Sequence, residues 1–195
     1  MYSKLEKFCE DNKLKLAWHF EYNRYWTWEI SITELLSILV DPTFEYIKQN
    51  HSEKLQQACD RWTAIHENIE KWIDTSNPHY RRFKEWKICE WVKILHKEKK
   101  FTREWIRGNI DAIIESDKLT WPVDYKSSLR RNEKYKLQLA WYCWLTWYTM
   151  WWILYLSDKK YIYDIFDIQE YLEIFEELLR YSKNIIAINI NEWKI

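Results

Sequence analysis

Glycine is all but missing from this chain: one residue in 195. At the usual frequency of about 7 % there would be on the order of 14. Net charge is also missing, with 30 Lys and Arg against 30 Asp and Glu, which excludes a protein that coats nucleic acid through bulk charge. The four cysteines, Cys9, Cys59, Cys89 and Cys143, lack the paired spacings of a zinc site. Free thiols in a reducing cytoplasm are the expectation. Met1 to Lys15 is charged throughout, so no secretory leader is expected there. Internal repeats and low-complexity linkers are likewise lacking.

What remains is a length that suits one domain with room for a sizeable core. Apolar periodicity predicts helices near 31–50, 53–74, 80–91, 134–148 and 167–182, and strands near 92–101, 105–115, 119–127, 151–157 and 160–166. That pattern predicts an α/β fold, a central mixed sheet flanked by helices. A core over about 53–182 would follow an N-terminal helical extension over about 1–52. Leu137 to Ser157 carries no charge and is long enough to span a bilayer. Because it opens with Gln138 and holds Thr146, a helix followed by a buried strand is the better reading, with no membrane partner.

Charge distribution says more than its total. Residues 81–136 hold 16 Lys and Arg against 9 Asp and Glu, so the rest of the chain is acidic. A basic patch is the footprint of phosphate contact, and Arg81, Arg82, Arg130, Arg131 and Lys134 are its candidate members. The same stretch contains Asp111 and Asp124, each inside an apolar, β-branched run. Buried carboxylates are costly unless paired or bound to a cation. Lys126 follows Asp124 by two residues and leaves the same face of a strand. With Ser116 and Asp117 as a two-residue loop, Asp111 pairs with Pro122. Asp124 then lies one diagonal step away on the same face, with Cβ atoms roughly 7 Å apart. Pro122 is tolerated only if its nitrogen points away from the ladder. Gln138 and Tyr142, four apart, share a helix face. So do Trp62, His66, Ile69 and Ile73, a stripe on which His66 is either a packed core residue or a ligand. Glu98, inside a mixed charge run, is either solvated or a further acid on the preceding strand.

The order Trp62-Thr63-Ala64-Ile65-His66, Gly108-Asn109-Ile110-Asp111, Asp124-Tyr125-Lys126, Gln138 to Tyr142 resembles the PD-(D/E)XK nuclease superfamily, in its branch of RecB-like and CRISPR-adaptation exonucleases. Ser31-Ile32-Thr33-Glu34-Leu35 followed by Pro42-Thr43-Phe44 is similar to that branch's opening motif. The likeness spans roughly residues 30 to 157. It departs at Trp62, where relatives place Gly, and at Asp41, where many place Cys. The resemblance implies a restriction-endonuclease-like core and metal-dependent hydrolysis of DNA. It implies Mg²⁺ or Mn²⁺ at Asp111, Asp124, His66 and the Tyr125 carbonyl. Lys126 would orient the attacking water or stabilise developing negative charge, and Gln138 and Tyr142 would brace it or hold a phosphate. No iron–sulfur cluster is expected, since no cysteine follows Cys143. A helicase or recombination protein is the implied partner class.

The 15 Trp remain to be explained. They roughly equal the missing glycines, and no folding preference favours the exchange, because Trp offers neither positive φ nor close backbone approach. A gene whose UGA codons mean Gly but were read as Trp would produce this composition. An aromatic protein whose Trp faces stack on bases is the alternative. Trp62, Trp121 and the pair Trp151-Trp152 sit where Gly would fit, and Trp62 would crowd the face of His66. On the recoding reading the source DNA carries UGA at Trp62 and Trp121. Sequencing that shows UGG there excludes it.

Overall fold

A computed structural model of the chain describes residues 2–17, 30–71, 76–146, 148 and 150–192, with 186–192 described by backbone alone. Its elements run α1 (Ser3–Asp11), β1 (Lys15–Leu16), β2 (Ile30–Ser31), α2 (Ile32–Leu36), β3 (Leu39–Val40), α3 (Pro42–Asn50), α4 (Ser52–Lys71), α5 (Pro78–Cys89), β4 (Lys93–Arg103), β5 (Ile106–Ser116), β6 (Leu119–Lys126), α6 (Glu133–Thr146), β7 (Met150–Leu156), β8 (Tyr161–Asp167) and α7 (Gln169–Glu192). This is the α/β architecture expected: a mixed sheet flanked by helices, with helices also in the N-terminal region. The predicted helix over 31–50 is two helices. Ser31 and Glu34 form a capping box at the start of α2. Asp41 caps α3 by accepting from the Thr43 and Phe44 N–H groups.

The main sheet has the order β2-β5-β6-β7-β8, with β4 on the other edge of β5. Side chains alternate across it, so each strand feeds two cores. On one side, Ile65 and Ile69 of α4 and Tyr80, Phe83 and Trp86 of α5 cover Ala112, Ile114, Val123, Tyr125, Trp152 and Leu154. On the other side, α1, α2, α6 and α7 cover Ile110, Ile113, Ile153 and Tyr155. The N-terminal region belongs to the same body. β2 pairs in parallel with β5. The buried Glu177 carboxylate of α7 accepts the Leu5 N–H in the first turn of α1, at 2.8 Å. Part of that region, residues 18–29, lies outside the described residues.

The uncharged stretch from Leu137 divides into α6 and β7. Among the described residues no helix is long and apolar enough to cross a membrane.

The β5–β6 hairpin corrects the expected register. Its loop is Asp117-Lys118, both with positive φ, 51° and 64°, the conformation a two-residue turn requires. Ser116 therefore pairs with Leu119 and Ile113 with Pro122. The shift preserves the face of every side chain and carries Asp111 from Pro122 to the step opposite Asp124. Pro122 sits one residue before β6 begins to pair with β7 at Val123, where its missing N–H is tolerated.

The glycine and one tryptophan have opposite problems. A Cβ on Gly108 would lie 2.3 Å from the buried Trp141 ring, so α6 packs this closely on β5 only because Gly108 has no side chain. Trp91, by contrast, ends α5 in the left-handed region, at φ 51° and 88 % exposed. The Val92 N–H bonds to the Lys87 carbonyl and the Trp91 N–H to Ile88, the Schellman pattern that favours glycine at this position. The positions singled out from sequence differ: Trp151 and Trp152 are buried in the sheet, and neither they nor Trp62 and Trp121 have positive φ. Left-handed backbone costs an L-residue about 1–2 kcal/mol, and the exposed indole adds little packing. Trp91→Gly should therefore raise stability to urea by about 1 kcal/mol. An unchanged or lower midpoint contradicts the strain at this cap.

Candidate metal centre

The site lies where the sheet forks. β4 runs beside β5 from Glu115 to Ile106. On the opposite edge β6 stops at Ala112 and β2 starts at Arg107. Between them, Gly108 to Asp111 present an edge without a neighbouring strand, and side chains take its place. The Asp111 carboxylate accepts the Tyr125 N–H at 2.6 Å, and the Tyr142 hydroxyl donates to the Asn109 carbonyl. Asn109 was not foreseen; only the Gly-x-x-Asp motif around it could have flagged it.

Alternation along β6 buries Val123 and Tyr125 under α4 and α5, so Asp124 and Lys126 face α6. Their side chains are 4 % and 11 % exposed, and Lys126 Nζ lies 2.7 Å from Asp124 Oδ2. The contact is a close ion pair. Lys126 Nζ also donates to Gln138 Oε1 at 3.2 Å, and Gln138 Nε2 donates to Tyr142 at 3.1 Å. The Tyr135 ring covers the ammonium at 4.4 Å. Burial opposes the charge on Lys126, but the Asp124 and Asp111 carboxylates outweigh it and raise its pKa.

His66 arrives from α4, which Ile65 and Ile69 anchor to the sheet. Of the expected stripe, Ile69 is core, Trp62 is half-exposed with its ring 4.0 Å from the imidazole, and Ile73 lies outside the described residues. His66 Nδ1 is 3.7 Å from Asp111 Oδ1 and 3.7 Å from Glu98 Oε1. Burial lowers the His66 pKa, but Glu98, Asp111 and Asp124 raise it overall. Asp111, buried and repelled by Asp124, is pushed up to about 7.

These groups open onto one cleft of about 1240 Å³. Arg130 and Lys134 line it, as do Lys48, Lys100 and Arg107, which the sequence had not singled out. Lys134 donates to the Leu39 carbonyl. Arg81 and Arg82 stand on α5 away from the cleft lining, and Arg82 pairs with Glu85. Arg131 holds Asp164 with two 2.7 Å hydrogen bonds beside another pocket. Cys9, Cys59, Cys89 and Cys143 sit on α1, α4, α5 and α6 as free thiols.

Comparison with protein-family models and with curated proteins returns no match. Among solved structures the chain is similar to one described as "Crystal structure of SSO0001", at 16 % identity over 91 % of this chain and 84 % of that chain, with a TM-score of 0.40. At that level it bears on neither fold nor function.

The raised Asp111 has a measurable consequence. Its native pKa exceeds the unfolded value of roughly 3.9, so folding takes up a proton between the two. Without a cation, stability falls as pH rises from about 4 to about 7. His66, also raised, acts in the same direction. In chelator, Asp111→Asn should gain stability on the parent protein as pH rises from about 4 to about 7. Parallel pH profiles in urea melts would contradict the repulsion described here.

Proposed function

We propose that the chain is a metal-dependent deoxyribonuclease of the RecB-like exonuclease type, hydrolysing phosphodiester bonds in DNA repair, recombination or mobile-element DNA processing. The observation that carries this reading is the convergence of Asp111, Asp124, Lys126 and His66 in one cleft. The donor set fits a hard or borderline divalent cation, Mg²⁺ or Mn²⁺, at Asp111, Asp124, His66 and the Tyr125 carbonyl. When bound, such a cation lowers the pKa of a water and neutralises charge on a phosphate.

The chain's own groups supply the rest. Asp124 and Gln138 hold the Lys126 ammonium at the cleft floor, charged because its pKa is raised. There it can orient a water or stabilise negative charge as it develops on a phosphate. Gln138 and Tyr142 fix Lys126 through a relay ending on the Asn109 carbonyl. Arg130, Lys134, Lys48, Lys100 and Arg107 offer phosphate contacts. Glu45, Glu67 and Glu70 also line the cleft, so DNA needs a cation to offset the acids before it can settle there. A helicase or recombination protein is the partner class this reading implies, and the cytoplasm its compartment. A DNA-binding module that has lost catalysis is disfavoured, because binding alone gives no reason to bury two repelling carboxylates beside a lysine.

The test is cleavage of labelled single- and double-stranded DNA with Mg²⁺ or Mn²⁺. Asp124→Ala and Lys126→Ala should each lower the rate more than about 100-fold, the scale for removing one electrostatic stabiliser, with circular dichroism unchanged. Cleavage that survives both substitutions, or excess chelator, refutes the assignment.

A further inference from the structure

We propose that Glu98 is a direct ligand of the cation at Asp111 and His66, a role resting on the metal-dependent reading above. Glu98 lies between Lys97, which pairs with Ala112, and Lys99, which pairs with Ile110. The register therefore places Glu98 opposite Asp111, and one further step places Asp124 opposite Asp111 on the other edge. Three acids thus stand in a row across three adjacent strands. Like charges directly opposite each other destabilise a sheet, and a cation between them removes that repulsion.

The distances suit a shared ion. One ligand atom each from His66, Glu98 and Asp111 lies within 4.8 Å of the other two. The 3.7 Å gaps from His66 Nδ1 to both carboxylates are too long for hydrogen bonds. Ligands that each sit about 2.0–2.3 Å from one metal are separated by about 3–4.5 Å. An independent sign comes from Asp124. Its side chain is 4 % exposed and lines the same cleft, and the lone Lys126 ammonium 2.7 Å away, shared with Gln138, is the positive group set against it. Charge agrees. Glu98, Asp111 and Asp124 against Lys126 leave two negative charges, which one divalent ion balances; without Glu98 one charge would remain. Glu98 itself has φ 45°, a left-handed backbone that interrupts the β4 ladder at this residue.

The experiment is Mn²⁺ titration of the full chain, read by calorimetry and by loss of the free-ion EPR signal. Glu98→Gln should weaken Mn²⁺ binding at least 10-fold, and Glu98→Asp less. In chelator Glu98→Gln should melt no lower than the parent, because it relieves repulsion, while gaining less from added Mn²⁺. Asp111→Asn marks the site itself. If Glu98→Gln binds Mn²⁺ like the parent while Asp111→Asn does not, Glu98 is no ligand and the metal reading stands. If the parent fails to bind millimolar Mn²⁺, both fall.

Discussion

The Lys126 ammonium joins two elements that would otherwise part. It pairs with Asp124 on its own strand and donates to Gln138 on α6, which passes the connection through Tyr142 to the backbone of β5. Around it, β6 leaves β5 after Ala112, and the edge from Gly108 to Asp111 is closed by side chains. Buried carboxylates repel one another and lose hydration. One lysine offsets part of this, and the remaining imbalance is what makes the fork suited to a cation. The two cores above and below the sheet hold these groups in place without covering the cleft.

Packing explains why α6 can reach the site. Its Trp141 occupies the space left by the absent Cβ of Gly108. Directly beside that contact, Tyr142 is buried with its hydroxyl on Asn109 and its ring stacked on Trp151. A bulkier residue at Gly108 would push the helix outward and take Gln138 with it, loosening Lys126. The one glycine in the chain is therefore tied to the candidate chemistry through helix position. The Trp residues divide by location. Trp86, Trp141 and Trp151 are core, whereas Trp91 occupies a helix cap that suits glycine better, so composition alone does not tell which positions are anomalous.

Much of this was readable in the chain. Strict alternation around Val123-Asp124-Tyr125-Lys126 sets the β6 faces, and spacing of four sets Gln138 and Tyr142 on α6. Hairpin register was harder to read. Loops at Ser116-Asp117 and at Asp117-Lys118 both keep each side chain on its face, so patterning could not choose between them; backbone conformation at Asp117 and Lys118 does. Basic residues were legible as a cluster in sequence and not in space. Arg81 and Arg82 follow α5 away from the cleft, and Arg131 is engaged by Asp164 from β8, 33 residues on. Lys48 and Arg107 enter the cleft because α3 and β5 border it, a relation that depends on tertiary folding. Glu98 reads from sequence either as a solvated charge or as a further acid on the preceding strand, and only the β4 pairing sets it opposite Asp111.

The proposed chemistry requires a divalent cation at the fork. The most direct measurement is anomalous diffraction from crystals grown with Mn²⁺. The account predicts a peak among the carboxylates of Asp111 and Asp124, the His66 imidazole and Glu98, with Lys126 remaining bound to Gln138. A well-ordered site with no anomalous density there at millimolar Mn²⁺, or a peak only elsewhere on the protein, would contradict it.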